Sequence, residues 1–317
     1  MLPLGVLVLD FDPLLHFGDA EVRLETVAIG AVLAVALVLA GLIARVTPVK
    51  LGGSMYQRIH RVHLRPDDLL FVAMGALPGA VVGGRIGYVL LHLDYYALNQ
   101  DAIVDPAQGS MELTLAVVGG CLTAAYVLRL LGAPLGRWAH VATFPLLLAL
   151  GAGKLAQVLG GDGQGLPTDA AWATLYRGDG PWGSLIPEIT AHPSQLYEGF
   201  AALLVLQLMT IAAARGAFPK ADGSALLVGI AAWSLMRAAV ASTWRDAPVL
   251  GPLLAEQVIA LTVALGCVLI AVARGRRQRR VVEADAASEA AREAAAMAAR
   301  RTGSRAAQAR PQGRSPV

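Results

Sequence analysis

His192 to Ala214 reads HPSQLYEGFAALLVLQLMTIAAA. A helix of about 20 mostly apolar residues crosses the hydrocarbon core of a bilayer, and this stretch is that long. Its opening run, His192-Pro193-Ser194-Gln195-Leu196-Tyr197-Glu198, places hydrogen-bonding and ionisable side chains at the mouth of the helix. Such groups cost free energy there unless a cavity, a partner or a substrate receives them. The stretch therefore predicts a membrane helix and a site at its start.

The composition of the whole chain agrees. Hydrophobic residues make up 56% of its 317 residues and charged residues 15%, against about 25% charged in an average soluble domain; mean hydropathy is +0.57. Apolar stretches of membrane length run from about Thr26 to Arg45, Leu69 to Leu93, Met111 to Leu131, Ala139 to Gly160, Ser194 to Ala214, Ala225 to Ala241 and Leu253 to Ala273. The expected fold is an all-α integral membrane protein with seven transmembrane helices.

Charge sets the expected orientation, because short cytoplasmic loops are enriched in Lys and Arg. With the amino terminus outside, the inner segments hold Arg45, Lys50, Arg58, Arg61 and Arg65, then Arg129 and Arg137, then Arg215 and Lys220, then the Arg274 to Arg280 cluster. The outer segments hold Arg23, Arg177 and Arg245. An outer amino terminus and a cytoplasmic carboxyl terminus follow. The net charge of +3 and pI near 9.0 are explained by this topology and by anionic lipid headgroups, so no nucleic-acid partner is expected. Cys121 and Cys267 fall inside spans and read as small apolar residues, neither a disulfide pair nor a metal cluster. Met1 to Leu9 is apolar but short and lacks a basic leader, so it is not read as a cleaved signal peptide.

Three parts are expected: an outer amino-terminal segment (1–25), a seven-helix membrane domain (26–273) and a basic, Ala-rich, mobile cytoplasmic tail (274–317). Within the tail, Glu283 to Arg301 suits an exposed helix. The long outer connection Gly161 to Ala191, with Trp172 and Trp182, suits a structured interfacial lid.

Arg85, Lys154 and Arg237 lie in or beside the spans, where a cation at a helix centre costs about 2.5–3.5 kcal/mol. Snorkelling to the interface is one way to offset this for Arg85 and Lys154. Arg237 stands further from both ends of its span, and Glu198 offers an ion-pair partner, structural or catalytic. Gly75, Gly79, Gly83, Gly84 and Gly87 suit close helix packing. The glycines from Gly151 to Gly165 break a helix; they either expose amides that, with the cations, suit a phosphate-bearing headgroup, or simply lead into the outer loop.

These residues resemble the bacterial prolipoprotein diacylglyceryl transferases from about Asp12 to Ile270. His192-Pro193-Ser194-Gln195-Leu196-Tyr197-Glu198 reads as that family's motif at the start of its fifth membrane helix. Pro66-Asp67-Asp68-Leu69, Gly84-Arg85-Ile86-Gly87-Tyr88-Val89 and Gly165-Leu166-Pro167-Thr168-Asp169 with Trp172 follow in order. The resemblance implies a multi-pass enzyme of the bacterial plasma membrane. Its implied substrates are phosphatidylglycerol, which donates its diacylglyceryl group at the outer leaflet, and prolipoprotein signal peptides, whose lipobox cysteine accepts it; other membrane lipids surround it. It implies no metal and no organic cofactor. Carried onto this chain, it implies catalytic roles for His192, Glu198 and Arg237. Substrate-binding roles fall to Arg85, Tyr88, Lys154, Gln157, Asp162, Gln195, Tyr197 and Arg245.

The chain also departs from the family. Lys154 stands for an arginine, which keeps the charge and loses the bidentate fork; Gln157 and Asp162 stand for an asparagine and a glutamate. The family histidine before a glycine pair is matched to Val118, a first-span tyrosine to Glu25, and a carboxylate one turn after Arg237 to Ala241. An active but divergent transferase is one reading. The alternatives are a catalytically degenerate paralogue that binds lipid or signal peptide, and a small anion or lipid transporter.

Overall fold

The computed structural model describes residues 5–49, 62–105, 110–184 and 186–308. Lys50, Arg58 and Arg61, on which part of the charge argument rests, lie outside the described residues, as do Met1–Leu4 and the last nine positions of the tail. The chain forms two compact units, one ending at Val268 and one beginning at Leu269.

Seven helices are long and apolar enough to cross a membrane, and they coincide with the seven predicted stretches. They are α1 (Leu24–Val46), α2 (Pro66–Leu91), α4 (Leu113–Leu130), α5 (Leu135–Ala156), α6 (Ser194–Ala214), α7 (Ser224–Ala241) and the first part of α8 (Ala255–Gln308). A short helix, α3 (Leu93–Leu98), follows α2. The protein is therefore a multi-pass membrane protein. Beyond the span, α8 continues without interruption to Gln308, through the segment expected to be helical.

The all-α expectation needs one amendment. Short strands pair at the helix ends: β1 (Leu7–Asp10) runs parallel to β6 (Thr174–Arg177), and β2 (Leu14–Phe17) pairs with β3 (Ala20–Arg23). Likewise β4 (Pro48–Val49) pairs with β5 (Val62–His63), and β7 (Pro248–Leu250) with β8 (Leu253–Leu254). Chain leaving a helix must still satisfy its amides and carbonyls, and pairing does so where the segments are too short for helix. The β1–β6 pair anchors the connection read as a lid, burying Leu175 and Tyr176.

Packing follows residue size. The α2–α4 contact is the most extensive in the bundle; a Cβ on Gly79 would overlap the Gly119 carbonyl and the Thr123 side chain, so the two backbones touch only because these positions carry none. On the other side, α5 packs against α1, α6 and α7. Leu147, Leu150, Val205, Met209, Ile230 and Trp233 fill the space between α5, α6 and α7. These three helices carry Lys154, Gln195, Glu198 and Arg237.

Candidate active site

The start of α6 is held by the glycine-rich segment that follows α5. The Gln195 amide donates to the Gly163 carbonyl (3.2 Å), Gly165 to His192 (2.7 Å), His192 to Leu166 (2.9 Å) and Leu166 to Thr243 (2.8 Å). The Ser194 and Thr243 hydroxyls share a 2.6 Å hydrogen bond. Gly161 and Gly163 have φ of +81° and +80°, a left-handed conformation that glycine adopts without strain. A Cβ on Gly165 would overlap Ser194 and the Thr243 carbonyl. The glycines thus serve close approach, and the Gly160 and Gly165 amides are used inside the protein, to Gln157 and His192.

One turn into α6, Glu198 is buried with 2% of its surface exposed. Its Oε2 lies 3.1 Å from Lys154 Nζ in the last turn of α5. Its Oε1 accepts from Arg237 Nη1 on α7. Arg237 is itself buried, and its Nε donates to Thr114 Oγ1 at 3.0 Å. Its Nη2 lies 3.6 Å from Glu112 and 3.7 Å from Glu256, and its guanidinium sits 4.7 Å from the Trp244 ring. Three carboxylates from three elements therefore surround one guanidinium, which offsets the cost of burying each charge.

These side chains face a cavity of about 560 Å³, whose lining includes Lys154, Gln157, Gln164, Ser184, Gln195, Glu198, Arg237, Trp244, Arg245, Asp246 and Glu256. Arg245 closes one side: its Nε donates to the Gly165 carbonyl at 2.8 Å, and its Nη2 lies 3.5 Å from Gln164 Oε1 and Ser184 Oγ. Burial lowers the Arg245 pKa from its ordinary value, yet a guanidinium starts so high that it stays charged. Gln195 Nε2 donates to the Tyr176 hydroxyl (2.9 Å), which donates to the Val158 carbonyl (3.1 Å). Burial raises the Tyr176 pKa, so the phenol keeps its proton. Among the described residues, the side-chain carbonyl oxygens of Gln157 and Gln195 have no hydrogen-bond partner.

The structure thus brings Lys154, Gln157, Gln195, Glu198, Arg237 and Arg245 together at one cavity, and places the other candidates elsewhere. Arg85 donates to the carbonyls of Ile103 (2.7 Å), Ala102 and Ser110, 5.3 Å from the Tyr96 ring, and so ties down the chain before α4. Tyr88 stacks on His92 at 4.1 Å. The Asp162 carboxylate lies against Gly183, next to Glu25, which packs on Gly160. His192 Nδ1 meets the Tyr197 hydroxyl at 3.3 Å, and that hydroxyl accepts from Trp172 (2.7 Å). None of Arg85, Tyr88, Asp162, His192 and Tyr197 belongs to the cavity lining.

Val118, matched in sequence to a family histidine, faces an apolar groove between α2 and α4 with Pro78, Val82, Ile86 and Leu122. It is Glu112 and Thr114 that carry α4 to Arg237. Glu112 caps α4 by accepting from the Thr114 and Leu115 amides, each at 2.6 Å. In place of the carboxylate sought at Ala241, Glu112 and Glu256 reach Arg237 from α4 and α8. Both stand at the start of an apolar span, and the cost argument that singled out Arg237 applies to them equally.

A model of the prolipoprotein diacylglyceryl transferase family matches residues 27–273. A phosphatidylglycerol–prolipoprotein diacylglyceryl transferase of Nostoc sp. is 29% identical over 225 residues, covering 69% of this chain and 80% of the relative. One from Clostridioides difficile is 26% identical over 212 residues, covering 66% and 79%. One from Nitrosomonas europaea is 36% identical over 149 residues, covering 44% and 47%.

Proposed function

This chain belongs to the prolipoprotein diacylglyceryl transferase family, and we propose that it transfers the diacylglyceryl group of phosphatidylglycerol to the cysteine thiol of a prolipoprotein signal peptide. The reaction forms a carbon–sulfur bond at the glycerol carbon and breaks the bond from that carbon to the phosphate oxygen, releasing glycerol phosphate. It needs cations at the phosphate, a base for the thiol and a cavity beside the lipid. The bundle is oriented with its amino terminus outside and the cavity at the outer leaflet of the bacterial inner membrane, as the loop charges favour.

One observation carries this reading: Lys154, Glu198, Arg237 and Arg245, from three helices and a loop, meet at a single cavity. Isolated cations that each snorkel to an interface make no such arrangement. Lys154 and Arg245 hold the phosphate. Arg237, held by Glu198, Glu112 and Glu256, sets the field of the site and stabilises charge on the leaving oxygen. The unbonded carbonyl oxygens of Gln157 and Gln195 accept hydrogen bonds from the glycerol hydroxyls. Reconstitution with phosphatidylglycerol and a lipobox peptide, read by mass spectrometry, tests this. A diacylglyceryl adduct on the cysteine is the expected product. An unmodified peptide from stably inserted protein refutes the assignment.

A further inference from the structure

The carboxylates in and beside the cavity differ in which of their oxygens are already bonded. Glu198 spends one oxygen on Lys154 and the other on Arg237. Glu112 spends both on the first amides of α4. His192 turns its Nδ1 to Tyr197 and is not part of the cavity lining. Asp246 sits at the exposed rim. Glu256 is different. Its Oε1 lies 3.7 Å from Arg237, while its Oε2 is buried and, among the described residues, has no hydrogen-bond partner.

The start of α8 is tied to α7, which fixes where Glu256 leaves the backbone. Gln257, the next residue, accepts from the Leu254 amide at 2.9 Å and donates to the Ala238 carbonyl of α7 at 3.0 Å. That clamp sets Glu256 opposite Arg237 and on the cavity lining. A buried acceptor without a partner costs free energy, which a substrate proton delivered to it recovers.

We propose that Glu256 is the base that takes the thiol proton of the acceptor cysteine in the cavity shared with Lys154 and Arg237. This rests on the transferase reading. The S–H bond breaks, with the proton going to Glu256 Oε2 and the electron pair staying on sulfur. The thiolate attacks the glycerol carbon, the carbon–oxygen bond breaks with its pair leaving on the phosphate oxygen, and the proton on Glu256 passes to the departing glycerol phosphate. Arg237 balances the charge of Glu256 before the proton moves, and is a positioning residue for this step.

The test compares wild type with Glu256→Gln in phosphatidylglycerol vesicles, using two lipobox peptides identical except for cysteine or selenocysteine at the acceptor. A selenol is ionised at neutral pH and needs no base. Glu256→Gln is expected to slow transfer to cysteine by a factor on the order of 10²–10⁴, and to slow transfer to selenocysteine far less, by the part due to its contact with Arg237 alone. Retained selenocysteine transfer also shows that the variant is folded. Wild-type speed on cysteine, or equal loss on both peptides, overturns the role of Glu256. No adduct on either peptide from the wild-type protein overturns the transferase reading, and this inference with it.

Discussion

Lys154 Nζ lies 3.1 Å from one oxygen of Glu198 while Arg237 takes the other, so a single buried carboxylate ties together cations from α5 and α7. Each cation is then positioned by a group that cannot leave without exposing a buried charge. The resulting chain of ion pairs makes the site stiff.

Arg237→Ala is expected to abolish transfer and to destabilise the fold. Removing the cation leaves Glu112, Glu198 and Glu256 without their common partner, and breaking a buried pair from one side costs ~3–5 kcal/mol. Adduct formation and thermal unfolding in detergent measure the two effects. Full activity in this variant would rule out its place in the site.

Lys154→Arg is expected to preserve or raise transfer. A guanidinium keeps the pairing with Glu198 and adds a second donor for a phosphate oxygen. Lys154→Ala removes a charge-assisted hydrogen bond of ~1.5–3 kcal/mol, and initial rates on the same peptide should fall accordingly. Equal rates for Lys154→Ala and wild type would count against a phosphate contact.

Gly79→Leu is expected to loosen the α2–α4 seam. The new side chain meets the Gly119 carbonyl and Thr123, and overpacking of this kind costs ~1–3 kcal/mol. A lowered unfolding temperature is the readout. An unchanged one would mean that the helices part without penalty.

Truncation after Arg280 is expected to leave transfer intact, because the residues named in the site end at Glu256 and the last span at Arg277. Loss of turnover in a stably inserted truncation would assign the tail a part in the reaction.

Much of this was legible in the sequence because it depends on local composition. Span number and position follow from the length of apolar runs, and the structure returned all seven. The polar run at the start of α6 supplies Gln195 and Glu198 to the cavity, and the cost of intramembrane charge points to Lys154 and Arg237, which line it too. For Arg85 the fold meets that cost with the loop carbonyls of Ile103 and Ser110, away from the cavity lined by Lys154 and Arg237. Glu112 and Glu256, each at the start of an apolar span, meet the same cost argument, but only the fold shows that both lie beside Arg237.

The sequence by itself determined a seven-span membrane protein with a family motif at His192 to Glu198, since hydrophobic length and motif order are properties of neighbouring residues. The tertiary structure alone decided which charges meet. Arg237 finds Thr114 and Glu112 on one side, Glu256 on another and Glu198 on a third, all distant in the chain. His192 and Glu198, six residues apart, are sent to different surroundings. An ion pair depends on distance across packed helices, and no local pattern encodes that distance; the glycine seams and the clamp at the start of α8 do.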